Sequence, residues 1–215
     1  MFVGDITSNG IITLGIKDDV EKAFEIMKSN DIRHIPVLDD GELVGIVTET
    51  DLRHVLVPSK LEESGDACYF MLTSKLCTVD EIMTRDPVTV SPQYDVEEAA
   101  RLLQRHKIGG LPVVENGKLI GMVTETDILG VFIEILGAIK YSSRIDVVLG
   151  EGPDVFRNVS QIIKEHGAEI ISVGMSPQGK EKERVYYFRL DTDDIDPVSD
   201  AIQDSGFKVI SAVSG

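Results

Sequence analysis

The chain has 215 residues, 42% of them hydrophobic, and a formal net charge of −16 at pH 7. This length suits one large or two small domains with substantial hydrophobic cores. The acidic charge excludes the basic footprint that nucleic-acid binding needs and argues against a polybasic membrane contact; it indicates a well-solvated acidic surface.

Signals of secretion, membrane insertion and metal binding are missing from the sequence. The first five residues lack the basic and apolar regions of a secretory signal, and the apolar run at 128–139 is too short to cross a bilayer. Cys68 and Cys77 match no common metal-site spacing, and the four histidines are scattered. We therefore expect a reduced, cytoplasmic setting, no metal site, and two thiols that pack as small hydrophobes.

Residues 1–57 predict one β-α-β-β-α unit. Residues 18–27 place apolar side chains at helical spacing after two aspartates, which suit the positive end of a helix dipole. Asp39, Asp40 and Gly41 predict a hairpin turn, because glycine tolerates a positive φ. The predicted elements are a strand at 11–14, a helix from 18, hairpin strands at 35–38 and 43–47, and a closing helix that Thr48 or Asp51 caps.

The same unit returns 76 positions later without a gap. The run IRHIPV at 32–37 becomes IGGLPV at 108–113, and GIVTETD at 45–51 becomes GMVTETD at 121–127. A repeat this long indicates one supersecondary unit used twice, in which neither copy buries its apolar face alone. We therefore predict a paired module with a cleft between two similar halves.

Two further segments of this region predict helices. Residues 58–78, between the copies, mix charged and apolar side chains, and Tyr69 and Met71 suggest a connecting helix with one buried side. Residues 128–139 are apolar almost all round, so a helix there must be covered by the neighbouring copy or by a second chain. The second possibility predicts a homodimer.

After Tyr141 the pattern changes to β-α-β-β-α-β, the ferredoxin-like plan, and predicts a separate domain joined through residues 137–143. The predicted strands are 145–149, 168–175, 185–190 and 208–213; the helices are 154–166, ended by Gly167, and 195–205, ended by Gly206; a turn lies at 177–180.

The repeated TETD run carries the chemistry that the sequence offers. Each copy lies where a strand ends and a helix begins, a junction with free backbone N–H groups that binds phosphate well. The threonine hydroxyls can add hydrogen bonds, and the aspartate can accept both hydroxyls of a ribose. Alternatively, these side chains only cap their helices. The candidates are Thr48, Thr50 and Asp51 in copy one, and Thr124, Thr126 and Asp127 in copy two.

The two TETD runs, the strands containing Pro36 and Pro112 and the 76-residue spacing together resemble the CBS-domain family. The resemblance covers residues 1–136 and implies a pseudo-twofold pair, a Bateman module of repeats 1–57 and 79–136 with 58–78 between them. It further implies up to two clefts for adenosine-type ligands such as AMP, ADP or ATP; which copies combine in a cleft stays open. By this resemblance the two aspartates hold ribose, the four threonines face phosphate, and backbone near Thr13, Ile35, Thr89 and Leu111 frames the adenine.

The copies differ just before the proline. Copy one has Arg33 and His34, where copy two has Gly109 and Gly110. In related modules these positions often carry basic residues that contact phosphate, and arginine suits this as a bidentate donor. The alternative is a solvated strand start. We hypothesise that only the cleft near Arg33 prefers a charged nucleotide.

The C-terminal segment, residues 142–215, resembles an ACT domain, a fold that binds an amino acid between two copies in many enzymes. The family turn usually has Pro-Gly after the first strand, whereas this chain has Gly152, Pro153 and Asp154. Asp154 would crowd or repel a carboxylate, so dimerisation or protein interaction is the favoured interpretation. Two CBS units followed by one ACT unit is the arrangement of AcuB-type acetoin-utilisation proteins.

The sequence thus predicts an α+β protein that acts as a non-catalytic regulatory sensor of an adenine nucleotide or adenosyl compound and signals through dimer packing to a regulated protein partner. No nucleophile elbow, catalytic Cys–His arrangement or Walker loop is present, so we expect no enzymatic activity and no catalytic cofactor. The alternatives are an interaction scaffold without a small ligand, an amino-acid sensor acting through the ACT-like domain, and, remotely, an enzyme with an unrecognised site.

Overall fold

The computed structural model of the chain describes residues 1–7, 10–58, 69–71, 77–137, 142–150, 152, 154–176 and 184–215. These residues form two compact units, Met1–Ile128 and Leu129–Gly215, which we call the N-terminal and C-terminal units. The division falls within a helix, Glu125–Ile135, so one continuous element belongs to both units.

The first copy has the predicted order of elements. Asp40 and Gly41 both adopt a positive φ, 47° and 87°, which is the geometry of a two-residue hairpin turn. Residues 11–14 form less strand than predicted, since only Leu14–Gly15 pairs, in parallel with Val37 and Leu38. The elements are α1 (Val3–Ile6), β1 (Leu14–Gly15), α2 (Val20–Asn30), β2 (His34–Asp39), β3 (Glu42–Thr48) and α3 (Glu49–Val55).

The segment after α3 corrects the predicted connecting helix. β4 (Leu56–Pro58) pairs with β5 (Tyr69–Met71) in an antiparallel ladder, where the sequence predicted helix. Aromatic and β-branched residues at Val57, Tyr69 and Phe70 fit a pleated ladder better than a helix once the two segments meet. The rest of that prediction, at 59–68 and 72–76, lies outside the described residues.

The second copy repeats the first. Its hairpin turn again has two residues with positive φ, Asn116 at 51° and Gly117 at 78°. Val90 makes a parallel bridge to Val113, as β1 does to β2, and β6 pairs with β3 of the first copy. The elements are α4 (Val79–Ile82), β6 (Thr84–Arg85), α5 (Val96–His106), β7 (Gly110–Glu115), β8 (Lys118–Thr124) and α6 (Glu125–Ile135).

The two copies exchange their first short helices. Val3 N donates to Tyr94 O over 2.8 Å, and Val79 N donates to Asp18 O over 2.9 Å, which is the same bond moved by 76 positions. The bridges Phe2–Asp95 and Asp19–Thr78 obey the same relation. Each copy therefore completes the backbone pairing of the other, which confirms that the repeat is a paired module.

Helix α6 is covered on one side only. Ile128 and Val131 are buried, but Leu129 and Ile135 are 57% and 56% exposed and Leu136, just beyond the helix, is 49% exposed. A single chain therefore covers only part of this apolar segment, and cover of the rest by a second chain stays a prediction. None of the helices in the described ranges has the length and apolar character needed to cross a membrane.

The C-terminal unit confirms the predicted β-α-β-β-α-β plan. Its strands pair antiparallel throughout in the order β10-β11-β9-β12, and both helices pack on one face of the sheet around the fully buried Phe188 and Leu190. Gly167 and Gly206 follow the helices with a positive φ. The elements are β9 (Ser143–Leu149), α7 (Val155–Glu165), β10 (Glu169–Met175), β11 (Arg184–Asp191), α8 (Asp196–Asp204) and β12 (Lys208–Val213); the turn at 177–180 lies outside the described residues.

Cys77 packs against the hydrophobic core of the first copy, which includes Leu14, Val20 and Ile35, as predicted. Cys68 lies outside the described residues. The Cys77 Sγ lies 3.3 Å from Glu81 Oε2. Burial, and then the Glu81 carboxylate, raise the pKa of this thiol above its ordinary value, so it stays protonated.

Candidate functional site

The two TETD corners have the same geometry. In copy one, Thr48 donates from N and from Oγ1 to Asp51 Oδ2, over 2.8 and 2.6 Å, and Asp51 N donates back to Thr48 Oγ1 over 3.3 Å. The corresponding distances between Thr124 and Asp127 are 2.8, 2.7 and 3.3 Å. The corners therefore do cap α3 and α6. Within the described residues, Oδ2 is the atom of each aspartate carboxylate that accepts these hydrogen bonds. The other oxygen, Oδ1, is left to accept from a ligand.

A cavity of about 350 Å³ adjoins the second corner, and we call it the Asp127 cleft. It combines the corner of copy two with the strand-start residues of copy one. Its lining is Gly10, Ile11, Ile12, Asp31, Ile32, Arg33, His34, Met122, Thr124, Thr126 and Asp127.

A cavity of about 420 Å³, the Asp51 cleft, adjoins the first corner and has the reciprocal composition. The corner of copy one faces the strand-start residues of copy two, so each cleft needs both copies. Its lining is His34, Ile46, Thr48, Thr50, Asp51, Thr84, Asp86, Pro87, Val88, His106, Lys107, Ile108, Gly109 and Gly110.

His34 lies between the two clefts and lines both. A Cβ added at Gly109 would lie 2.8 Å from His34 Nε2, and one added at Gly110 would lie 3.4 Å from His34 Cγ. The imidazole therefore occupies the space that a side chain at Gly109 would need, whereas a Cβ at Gly110 would first meet Met122 Cε, at 3.0 Å. Burial, and then the charge of Arg33, lower the pKa of His34, although Glu125 and Asp51 oppose the shift. The neutral imidazole is favoured as a result.

The basic side chains of the two clefts lie at different positions. Arg33 is exposed in the Asp127 cleft, and it forms no ion pair with any described carboxylate. Its backbone O accepts a hydrogen bond from Glu49 N over 3.0 Å, which fixes the strand start against α3. In the Asp51 cleft the corresponding position is Gly109, and Lys107, just after α5, lines that cleft together with His106 and the shared His34.

The structure brings eight of the predicted residues into the clefts: Arg33, His34, Thr48, Thr50, Asp51, Thr124, Thr126 and Asp127. It places six others outside both linings: Thr13, Ile35, Pro36, Thr89, Leu111 and Pro112. Side chains alternate across a strand, so those of Ile35 and Leu111 point into the core and are fully buried. The chain neighbours His34 and Gly110 face a cleft instead.

Sequence reasoning missed the segments at 10–12 and 86–88, and the helix ends at 31–32 and 106–108. The two sets correspond at the same 76-residue offset, apart from His106. The sequence does contain a signal for these segments, namely their place just before a strand of each copy. In a paired module such a segment passes the corner of the other copy.

Of the turn at 152–154 the structure describes Gly152 and Asp154, which show no hydrogen-bonded corner like those of the clefts. Gly152 and Asp154 are exposed, and Pro153 lies outside the described residues. Asp154 is the N-cap residue of α7, but its side chain makes no cap hydrogen bond and lies 3.6 Å from Arg157 Nη1.

The sequence model of the CBS domain matches residues 3–58 and 79–134. A CBS domain-containing protein of Dictyostelium discoideum is 36% identical over 138 residues, which is 63% of this chain and 94% of that protein. The inosine-5'-monophosphate dehydrogenase of Korarchaeum cryptofilum is 39% identical over 119 residues, or 55% of this chain, but this is only 21% of the enzyme.

Solved structures match a little under two thirds of this chain. The CBS domain pair of protein MJ0100, in complex with 5'-methylthioadenosine and S-adenosyl-L-methionine, is 30% identical with a TM-score of 0.52, covering 65% of this chain and 98% of that one. CBSX2 in complex with AMP is 26% identical with a TM-score of 0.51, covering 62% and 97%. A structure described as an acetoin utilization protein, AcuB, from Vibrio cholerae is 31% identical with a TM-score of 0.51, covering 65% and 95%.

Proposed function

This chain belongs to the CBS-domain family, and we propose that its paired module is a non-catalytic sensor of AMP or a related adenosyl compound. One observation carries the proposal: each of two cavities unites a hydroxyl-and-acid corner of one copy with the strand start of the other. A ligand in either cavity touches both copies. Its binding can therefore favour one arrangement of the copies over another, which is what a sensor requires.

The roles follow from the geometry of the corner. Asp51 and Asp127 hold the ribose, because their Oδ2 atoms are used by the cap and Oδ1 remains to accept from two neighbouring hydroxyls. Thr50 and Thr126 are exposed in the first turn of a helix and face phosphate with their hydroxyls, while the N–H groups of Glu49 and Asp51 in that turn already donate within the protein. The adenine packs against the apolar wall, Ile12 in one cleft and Val88 in the other.

The two clefts differ in ligand preference. The Asp127 cleft takes a phosphorylated ligand because Arg33 is an unpaired guanidinium there within the described residues. The Asp51 cleft, with glycine at the equivalent position, takes an adenosyl ligand with less dependence on phosphate. The complexes of MJ0100 with 5'-methylthioadenosine and S-adenosyl-L-methionine, and of CBSX2 with AMP, support both kinds of ligand as candidates.

The signal leaves the module through packing against a second copy. The exposed Leu129 and Ile135 on α6 are large apolar side chains that a homodimer would cover. The ACT-like unit strengthens this dimer or contacts a regulated protein. Light scattering of the full chain checks the dimer, and Leu129→Glu with Ile135→Glu should yield monomers if α6 is the interface.

Calorimetric titration of the full chain tests the proposed sensor directly. AMP, ADP, ATP, S-adenosylmethionine and adenosine are compared, with GMP as the base-specificity control. We expect saturable binding of at least one adenosyl compound and much weaker binding of GMP. Absence of binding by every adenosyl compound, together with no adenosyl compound in mass spectra of the freshly purified protein, would leave the scaffold alternative.

A further inference from the structure

The C-terminal unit contains a cavity that is independent of the nucleotide clefts. It measures about 270 Å³ and lies on the face of the sheet opposite α7 and α8. We call it the Arg189 cavity. Its lining is Leu136, Arg144, Ser172, Gly174, Tyr187 and Arg189.

Strand register explains why these side chains meet. Ser172, Arg189 and Arg144 stand side by side on the neighbouring strands β10, β11 and β9. The next row is Gly174, Tyr187 and Asp146. Residues paired across strands share a face, so these two rows form one polar floor.

One wall of the cavity is apolar. The residue just after α6, Leu136, lies against the floor, where its backbone O accepts a hydrogen bond from Ser172 Oγ over 2.8 Å. The ring of Tyr187 adds a second apolar surface. The cavity thus combines a polar floor with room for carbon atoms, as small-molecule sites do.

The charge of Arg144 is already compensated. Its Nε and Nη2 donate to the two carboxylate oxygens of the buried Asp146, both over 2.7 Å, and its guanidinium lies 4.8 Å from the centre of the Tyr187 ring. A bidentate pair with a stacked ring fixes this side chain. Arg144 therefore shapes the floor and adds no net charge to it.

The charge of Arg189 is not compensated. Its Nη1 donates to Ser142 O and Ser142 Oγ over 3.2 and 3.3 Å, which are long bonds to neutral acceptors. It forms no ion pair with any carboxylate in the described ranges. The chain has a net charge of −16, yet this half-buried guanidinium pairs with none of the described carboxylates. The cavity beside it is therefore a favourable place for an anion to bind.

We propose that the Arg189 cavity binds a small monocarboxylate whose anionic group pairs with Arg189 and whose carbon chain packs on Leu136 and Tyr187. A carboxylate matches the planar fork of the guanidinium. A phosphate dianion would bring a second negative charge towards Asp146. A volume of 270 Å³ corresponds to roughly nine water molecules, so a ligand of about that many non-hydrogen atoms fits.

Titration of the full chain with isobutyrate, followed by calorimetry and by the side-chain Nε–H resonance of Arg189, tests this site. Isobutyramide is the neutral control of equal shape. We expect isobutyrate to bind and to shift that resonance, and isobutyramide to do neither. Equal binding of the amide, or no response to isobutyrate, acetate and L-valine alike, overturns the proposal.

Two variants act through different properties of the cavity. Arg189→Gln removes the charge, and isobutyrate affinity should fall roughly tenfold or more. Gly174→Val fills the cavity; a Cβ there meets only Tyr187, at 3.9 and 4.0 Å, so the substitution fits the strand and should abolish binding. Arg184→Gln removes the same charge elsewhere on β11 and should leave isobutyrate affinity unchanged.

Inorganic phosphate is titrated as a further ligand, for comparison with isobutyrate. Phosphate binding that is tighter than isobutyrate binding and equally sensitive to Arg189→Gln would overturn the assignment to a carboxylate. AMP titration of the same samples reports separately on the N-terminal unit, so failure of this proposal is distinguishable from failure of the nucleotide proposal. Melting temperatures near that of the unchanged protein establish that the variants are folded.

Discussion

The two clefts of the N-terminal unit share a corner and differ in the strand that faces it. The hydrogen bonds of Thr48 with Asp51 and of Thr124 with Asp127 agree within 0.1 Å. Opposite the corner, however, one cleft has Arg33 and the other has Gly109. Duplication thus preserved the hydroxyl-and-acid corner, whereas the residues that face it diverged, and Asp31 of one cleft also corresponds to Lys107 of the other.

His34 explains why the copies cannot be identical at this position. Its ring lies against Gly109 and Gly110, in the space that corresponding side chains of copy two would occupy. Close packing does not allow two rings to share this space. The glycine at 109 is therefore a packing requirement, and in the proposed function it is also the source of ligand selectivity.

The largest effect is expected from Asp51 and Asp127, the proposed ribose-binding acids. Asp127→Asn keeps an oxygen to accept from Thr124 but loses the charged acceptor, so affinity in the Asp127 cleft should fall about a hundredfold, or ~3 kcal/mol. Asp51→Asn should do the same in the Asp51 cleft only. Calorimetry of both variants with AMP measures this, and loss of both sites in either variant would contradict independent clefts.

Arg33→Ala tests the difference in phosphate recognition. The loss of a charge-assisted hydrogen bond should weaken AMP binding in the Asp127 cleft by roughly 10- to 100-fold and leave adenosine binding unchanged. Lys107→Ala, in the Asp51 cleft, is the control. If Arg33→Ala weakens AMP and adenosine equally, or weakens neither, Arg33 has no role in phosphate binding.

Gly109→Ala tests the packing requirement. The added Cβ would lie 2.8 Å from His34 Nε2, so the free energy of unfolding should fall by about 1–2 kcal/mol. Gly130→Ala, where nothing lies within 4 Å, should be neutral or stabilise α6 by up to ~1 kcal/mol.

Chemical denaturation of both glycine variants gives these values. Adding His34→Ala to Gly109→Ala should restore most of the lost free energy, because the clash then has no partner. If the losses of unfolding free energy in the two single variants simply add in the double variant, His34 is not the cause of the loss in Gly109→Ala.

The smallest effect concerns pH. Burial lowers the pKa of His34 in the folded chain, so the unfolded chain binds a proton first as the pH falls below about 6.5. The contribution of His34 to stability is therefore complete above that pH and is lost as the pH falls from there towards the lower folded pKa, with a slope of at most ~1.4 kcal/mol per pH unit. Denaturation curves of the unchanged protein and of His34→Gln measure it, and parallel pH profiles would show that His34 does not contribute.

Much of the fold was predictable because it depends on local pattern. Helical spacing in α2 and α5, the Asp-Gly and Asn-Gly turns, and the glycines that end α7 and α8 are properties of short segments. The exact repeat also determined that the halves pair. The connecting helix was predicted wrongly, since the Tyr69–Met71 segment takes its conformation from a partner strand eleven residues upstream, which no local pattern reports.

The sequence by itself determined the two hydroxyl-and-acid corners, because each is a bond between residues three apart. Only the tertiary structure decided what faces them, through the crosswise exchange of α1 and α4 and the packing of His34 against Gly109. In the C-terminal unit it likewise decided that Arg189 pairs with none of the described carboxylates. These depend on residues brought together from distant parts of the chain, where close packing and charge pairing choose between arrangements that the sequence leaves equally open.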